Sequence, residues 1–212
     1  MELTIRRENP AEYRAVEDIT RAAFWDVNVP GCDEHYLAHI LRDAQCFVPE
    51  LDLVAILDNV LVGNIMYTRA ALEDMQGRKH EVLSFGPISV LPEYQGKGVG
   101  RALIERSAEL ARQMGFTAIL IYGDPAYYSR LGFLPAEQYG IKGKYGMYSP
   151  ALQVLELIPD TLKDISGTFI EDDVYELDPE AAAQFDSSFP PREKGFRPSQ
   201  TRFQEMLAQA HY

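Results

Sequence analysis

The stretch Gln95-Gly96-Lys97-Gly98-Val99-Gly100-Arg101 combines alternating glycines with two basic residues. An apolar run, Val82 to Leu91, leads into it, and a run with helical periodicity, Val99 to Met114, leads out. The spacing predicts a strand, a glycine-rich turn and a helix. Peptide N–H groups in the first turn of a helix lack intrahelical partners, and the helix dipole favours negative charge there. Glycine lets a bulky ligand approach the backbone. The chemistry suited to this stretch is the binding of a phosphate-bearing ligand; the plain alternative is a simple connecting turn. Two common phosphate motifs do not fit. A P-loop places Ser or Thr after Gly-Lys to hold magnesium, and here Gly98 follows Lys97. The dinucleotide fingerprint Gly-x-Gly-x-x-Gly is met by Gly96 and Gly98 but has Arg101 in its last position. The pattern that remains is Gln-x-x-Gly-x-Gly.

The elements that must position this turn can be read in order. Residues 2 to 7 alternate as a first strand. Asn9-Pro10 opens a helix with Tyr13, Val16, Ile19, Ala23 and Phe24 at helical spacing. Asp33 is the expected cap of a second helix, with Tyr36, Leu37, Ile40 and Leu41 as its apolar stripe. His35 and His39 lie four apart on it, a spacing that a metal can use, but no third ligand is evident and a surface or substrate-facing role is expected. Leu51 to Leu57 and Val60 to Thr68 read as strands joined by the two-residue turn Asp58-Asn59. Gly86-Pro87 interrupts the strand before the glycine-rich turn, where a lost ladder donor predicts a bulge or a splay. On the helix that follows, Leu103, Ile104, Ala108, Ala111 and Met114 form the expected buried face, and Gly115 ends it. Thr117 to Tyr122 is a continuous apolar strand, expected parallel to Val82–Leu91. A short helix, Ala126 to Leu131, and a strand, Ala151 to Leu157, follow. Past Asp160 a strand within Phe169–Leu177 and helices over Pro179–Phe185 and Ser199–Ala210 are expected. The sum is an α/β fold with a mixed sheet of about seven strands.

Composition narrows the function. The chain has 212 residues and a formal net charge of −12. That charge argues against nucleic acid as a partner and is compatible with a cationic substrate. No apolar run approaches the ~18 residues of a membrane helix, and the N-terminal stretch does not read as a signal peptide. Cys32 and Cys46 match no metal spacing and read as reduced thiols of a cytoplasmic protein. No metal site is expected.

Ile88-Ser89-Val90-Leu91-Pro92-Glu93-Tyr94-Gln95-Gly96-Lys97-Gly98-Val99-Gly100 resembles the strand-four and helix-three motif of the GCN5-related N-acetyltransferases. Tyr127-Tyr128-Ser129-Arg130-Leu131-Gly132-Phe133 is similar to that family's aromatic-Tyr-x-x-x-Gly-Phe motif, one helix and one strand downstream as the family requires. The likeness is strong over residues 82–135 and loose over 3–80. It implies an acyl-CoA N-acyltransferase fold with splayed central strands over residues 1–159, followed by a C-terminal extension, 160–212. The extension is open to three roles: a lid, a sheet-edge cover or a homodimer contact.

The resemblance also implies acetyl-CoA as donor and the amine of a small molecule or peptide as acceptor. The amides of Gly96, Lys97, Gly98, Val99, Gly100 and Arg101, with Gln95, would hold the pyrophosphate. Ile88, Ser89 and Val90 would line the pantetheine arm, and the N–H of Val90 or a near neighbour would stabilise the oxyanion. Tyr128 would protonate the departing thiolate, while Tyr127 would be the packing aromatic. The general base is the weak point. The strand-four candidates Ser84, Phe85 and Gly86 include no carboxylate. Asp124 is a candidate for cofactor contact or proton relay, although capping the next helix is the favoured reading; Glu34 and His35 are weaker options. A non-catalytic acyl-CoA sensor, or a transferase of another acyl group or acceptor, stands as the alternative.

Overall fold

Asp58 and Asn59 take positive φ, 48° and 67°, the backbone of a two-residue hairpin turn that only Asn, Asp and Gly tolerate readily. The computed structural model, which describes residues 2–212, uses this turn to join β2 (Leu53–Leu57) to β3 (Val60–Asp74). β1 (Leu3–Arg7) pairs antiparallel with the other edge of β2. Between β1 and β2 lie α1 (Tyr13–Phe24) and α2 (Glu34–Leu41). Asn9 begins the first of them through a capping box with Glu12, after which a single 3-10 turn at Pro10–Glu12 leads into α1.

β4 (Lys79–Val90) returns antiparallel along β3, from Glu73↔Lys79 to Gly63↔Val90. Ile65 faces Ile88 and Tyr67 faces Phe85, so Gly86 and Pro87 together oppose Met66 alone. This is the bulge that the Gly-Pro pair predicts; the Gly86–Pro87 peptide is cis. α3 (Val99–Gln113) crosses back to β5 (Ala118–Tyr122), which lies parallel to β4. The β4–β5 ladder holds a single register pair, Leu83↔Ile119. Beyond it the two central strands part, as the family resemblance implies.

α4 (Pro125–Tyr128) follows β5, then β6 (Leu134–Pro135), β7 (Ile141–Lys142) and β8 (Leu152–Glu156). β9 (Gly167–Ile170), α5 (Pro179–Asp186) and α6 (Pro198–Leu207) complete the chain. The sheet has nine strands in the order β1-β2-β3-β4-β5-β8-β6, with β9 pairing β3 and β7. The expectation of about seven strands falls short because β6 and β7 are two residues each, too short for an alternation to register. Two apolar layers cover the sheet. One packs α3 through Leu103, Ile104, Ala108 and Ala111 against Tyr67, Leu83, Phe85 and Ile121. The other joins Leu72, Val82, Leu120, Val154 and Phe169. Met114, expected on the buried face of α3, is 39% exposed: it follows the last helical residue, where the helical stripe no longer tracks the sheet.

The segment 160–212 is built onto this sheet. β9 pairs antiparallel with Ala71–Asp74 of β3. α5 lies against α2, with the Phe185 ring 5.5 Å from His35 and 4.5 Å from His39. Trp25 donates its indole N–H to the Glu193 carbonyl (2.9 Å), and Gln200 donates to the Asp26 carbonyl (3.0 Å).

Candidate active site

The glycine-rich turn forms where the strand separation and a helix start coincide. Gly96 and Gly98 take φ of 72° and 85°, and Gly98 is the N-cap of α3. These left-handed values are what glycine supplies cheaply. Ala102 is the first residue of α3 to donate back along the helix, to Gly98 (3.0 Å). The N–H groups of Val99, Gly100 and Arg101 are the orphan donors of the first turn. A Cβ added at Gly96 or Gly98 would meet nothing within 4 Å, so open space stands over the turn. At Gly100 a Cβ would lie 2.8 Å from the Tyr127 hydroxyl, and glycine there lets the phenol cover the turn.

A groove of about 680 Å³ runs from this turn along the gap between β4 and β5. Ile88, Val90, Gln95, Gly96, Gly98, Val99, Gly100 and Arg101 line it on one side, and Asp124, Tyr127, Tyr128 and Arg130 on the other. Leu91 donates its N–H to the Val62 carbonyl of β3 (2.9 Å). Neighbouring residues of a strand turn their backbone groups to opposite sides, so those of Val90 face the gap. Gln95 donates to the Val90 carbonyl (3.0 Å), which leaves the Val90 N–H for a ligand. Ser89 is placed differently from its neighbours. Its buried side chain donates to Thr20 of α1 (3.1 Å), on the far face of the sheet, and its backbone is turned to Asn64 of β3, so it ties α1 down and, against expectation, does not line the groove.

Lys97 and Arg101 supply the local positive charge expected of an anion site on an acidic protein. The Lys97 ammonium lies 4.9 Å from the Tyr94 ring centre. The Arg101 guanidinium donates to the Arg130 carbonyl (3.2 Å) and pairs with Glu105 (3.4 Å). Arg130 is a groove residue that the motif reading missed; it stands inside the second motif, but no spacing rule marks it.

The packing expected of Tyr127 falls to Tyr128. Tyr128, not Tyr127, is the buried one, at 8% exposure against 41%. Tyr128 packs on Phe85 (6.0 Å between centroids) and Phe133 (5.3 Å), and Tyr127 stands edge-on to it at 5.0 Å. Burial pushes the Tyr128 phenol far above its ordinary value, with Tyr127 and Asp124 adding to the effect. A phenol in that state stays protonated at neutral pH, so it is present as a donor, although it is a weaker acid than an exposed tyrosine.

Asp124 is held by structure. One carboxylate oxygen accepts the Ala126 N–H (2.9 Å), the cap that starts α4, and the other pairs with Arg202 of α6 (2.6 Å). It borders the groove but both oxygens are engaged.

His35 is fully buried, against the expectation of a surface or substrate-facing residue. The extension covers it: Phe185 and Phe189 pack on its ring, and Nε2 lies 3.0 Å from Asp186 without the alignment of a hydrogen bond. Cys32 Sγ is 3.5 Å from Nδ1. The set resembles a thiol–imidazole–carboxylate relay in outline only. Burial pushes the Cys32 thiol far up and His35 down to about 4, so thiolate and imidazolium are both disfavoured. His39 is instead exposed and paired with Glu17 (2.9 Å). Among the described residues no cluster of three metal-ligating side chains occurs. Glu34 sits beside this cluster, bonded to Asn28 (3.3 Å).

No carboxylate projects from β4 at Ser84, Phe85 or Gly86, as the sequence states. One arrives from elsewhere. Ser84 donates to Glu171 Oε1 (2.7 Å) across 87 residues of sequence. No local pattern links the two; only the pairing of β9 with β3 brings them together.

The geometry is matched by known proteins. N-acetyltransferase YhbS of Escherichia coli is 29% identical over 165 residues, covering 78% of this chain and 93% of YhbS. N-acetyltransferase YjhQ of the same organism is 40% identical over 100 residues, 47% of this chain and 54% of YjhQ. The crystal structure of YhbS in complex with CoA superposes with a TM-score of 0.73 at 25% identity, covering 84% of this chain and 93% of that one. A GNAT family acetyltransferase from Brucella melitensis, in complex with acetyl-CoA, superposes at 0.65 with 27% identity, over 82% of this chain and 98% of that one. The model of the acetyltransferase (GNAT) family matches residues 13–133. With the parted β4–β5 pair and the turn at the head of α3, this match establishes that the chain belongs to the acetyltransferase (GNAT) family.

Proposed function

We propose that the protein moves an acetyl group from acetyl-CoA to a primary amine of a small molecule or peptide, by direct transfer. The observation that carries this reading is the continuity of one groove, with unpaired helix amides at one end and a buried tyrosine at the other. The amides of Gly98 to Arg101 would hold the pyrophosphate, with Lys97, Arg101 and Arg130 countering the protein's overall negative charge. Ile88 and Val90 would receive the pantetheine arm as an added strand. The Val90 N–H is a preorganised donor for the oxyanion, and Tyr128 protonates the leaving sulfur. Asp124 acts as a positioning residue that fixes the start of the helix carrying Tyr128.

We assign residues 1–159 to the catalytic body. Residues 160–212 serve as a cover: β9 extends the sheet, α5 closes over α1 and α2, and Arg202 reaches the rim of the groove. The free, buried Cys32 and Cys46 accord with a cytoplasmic setting.

The test has two parts. Calorimetry with acetyl-CoA is expected to show binding, and thiol release across a panel of primary amines is expected to identify at least one acceptor. Binding without transfer to any amine would favour an acyl-CoA sensor.

A further inference from the structure

β4 parts from β5 after Leu83, and the next residue, Ser84, turns to the face opposite Phe85 and Tyr128. On that face Ser84 holds Glu171, which follows the last residue of β9. Among the described residues the second carboxylate oxygen, Oε2, takes no hydrogen bond. The walls around it are polar and aromatic. Tyr175 stands beside Gly86 of β4, its ring 3.7 Å from where a Cβ would be, and its hydroxyl is bonded to Thr68 of β3 (2.9 Å). Tyr122, half exposed at the end of β5, packs on Phe169 of β9 (6.1 Å). Lys144, whose charge reaches Glu171, is itself paired with Asp173 (2.8 Å) and Glu176 (2.6 Å).

We infer that Glu171, delivered by the C-terminal segment, is the general base of this enzyme and receives a protonated amine at the mouth of the β4–β5 gap. The inference rests on the acetyl-transfer reading above. Three observations carry it. The carboxylate is held by Ser84, the residue one past the last β4–β5 pair, where the gap opens. It lies across the strand from Phe85, the ring that touches Tyr128, so the base and the acid approach the gap from opposite faces. Ser84 fixes one oxygen and leaves the other for a substrate proton. An anionic, aromatic-walled site selects a cationic acceptor. Burial raises the Glu171 carboxyl above its ordinary value, opposed by the Ser84 hydrogen bond and by Lys144, and a raised carboxyl is a stronger base near neutral pH.

The step balances. Glu171 takes a proton from R–NH3+, and the freed nitrogen lone pair adds to the thioester carbonyl carbon. The C–S bond then breaks with its electron pair on sulfur, and Tyr128 protonates the thiolate. The nitrogen, still carrying one proton too many, returns it through water to the tyrosinate. Glu171 releases its proton to solvent. Ammonium and thioester become amide, thiol and one proton.

The test compares wild type, Glu171→Gln and Glu171→Asp with the amine that wild type acetylates best, alongside calorimetry with acetyl-CoA. E171Q is expected to lower kcat/KM about 100-fold at neutral pH and to erase the acid limb of the pH–rate profile, with acetyl-CoA affinity within twofold of wild type. E171D, which keeps the charge but shortens its reach, is expected to keep the acid limb at a rate reduced about tenfold. An unchanged acid limb in E171Q with a rate within about threefold of wild type overturns the assignment while leaving the acetyl-transfer reading intact. If E171Q does not fold, E171D decides: a wild-type rate in that variant overturns the assignment. A wild type that binds acetyl-CoA and acetylates no amine overturns both.

Discussion

Gly123 makes the space that Tyr128 fills. A Cβ at Gly123 would overlap the ring, lying 2.6 Å from Cδ2 and 3.1 Å from Cζ. The ring is pinned on its other sides by Phe85, Phe133 and Tyr127, so it has no free direction in which to yield. Gly123→Ala is expected to cost about 1–3 kcal/mol of stability and to push the hydroxyl out of line. Activity should fall at least tenfold, because displacements near 1 Å already matter for proton transfer. Tyr128→Phe keeps the packing and removes only the proton. It should lower kcat about 100-fold with little change in melting temperature or acetyl-CoA affinity. Thiol-release kinetics and thermal melts on both variants separate misplacement from loss of the acid. Wild-type turnover in Tyr128→Phe would sink the assignment.

Gly98→Glu tests the anion turn. Gly98 has φ of 85° and caps α3, so any side chain there is strained by about 1–2 kcal/mol, and a carboxylate would stand at the proposed pyrophosphate site. The expected result is an acetyl-CoA affinity reduced at least 100-fold by calorimetry, with the protein still folded by circular dichroism. Gly98→Ala separates the two causes: it carries the strain without the charge and should bind within about tenfold of wild type. Equal affinities for the two variants would show that charge at the turn does not matter.

The donor half of the site was legible in sequence because its parts are local. Gln95 to Arg101 needs only a strand end, positive-φ glycines and a helix start, and each is written within seven residues. Gly86-Pro87 likewise announced its own bulge. The proposed acceptor side and the cover over α2 are built from contacts between distant segments. Ser84 meets Glu171, and His35 is covered by Phe185 and Phe189; no periodicity in either partner encodes the other. His35 reads as a surface residue on α2 because the face it occupies is closed by a segment about 150 residues later. The burial of Tyr128 in place of Tyr127 has a similar cause. Adjacent residues of a one-turn helix point about 100° apart, and only the position of Phe85 and Phe133 decides which one is buried.

Asp124 and Arg202 form an ion pair at 2.6 Å, but their side chains are 41% and 64% exposed. Pairs of this kind contribute roughly 0–1 kcal/mol. The cap on Ala126 is the larger effect, about 1 kcal/mol. Arg202→Ala should therefore leave melting nearly unchanged. Asp124→Ala should lower stability by about 1 kcal/mol and reduce activity through the loosened start of α4. Asp124→Asn, which preserves an acceptor for the Ala126 N–H, should recover most of both. Failure of the asparagine variant to recover activity, with stability restored, would assign Asp124 a direct part in the chemistry.

The cover formed by α5 should loosen in mild acid. His35 is buried between Phe185, Phe189, Arg21 and Asp186, and burial, with Arg21 and Arg14 adding and Asp186 opposing, lowers it from 6.5 to about 4. A histidine whose folded value is depressed binds fewer protons in the native state than in the unfolded one across that interval. Its contribution is fully present above pH 6.5 and is lost as pH falls toward 4, a change on the order of 3 kcal/mol for the shift itself. Asp186 acts in the same direction at lower pH: despite burial, the Arg21 contact at 2.6 Å holds it below its usual value, so its contribution is lost as pH falls below about 3.8. Melting temperature is expected to fall steadily from pH 7 to pH 4.5, with hydrogen exchange in α5 rising first. His35→Gln removes the titrating group, and although it costs stability at pH 7, it should flatten the slope between pH 6.5 and 4.5. A slope unchanged in that variant would place the acid sensitivity in other groups.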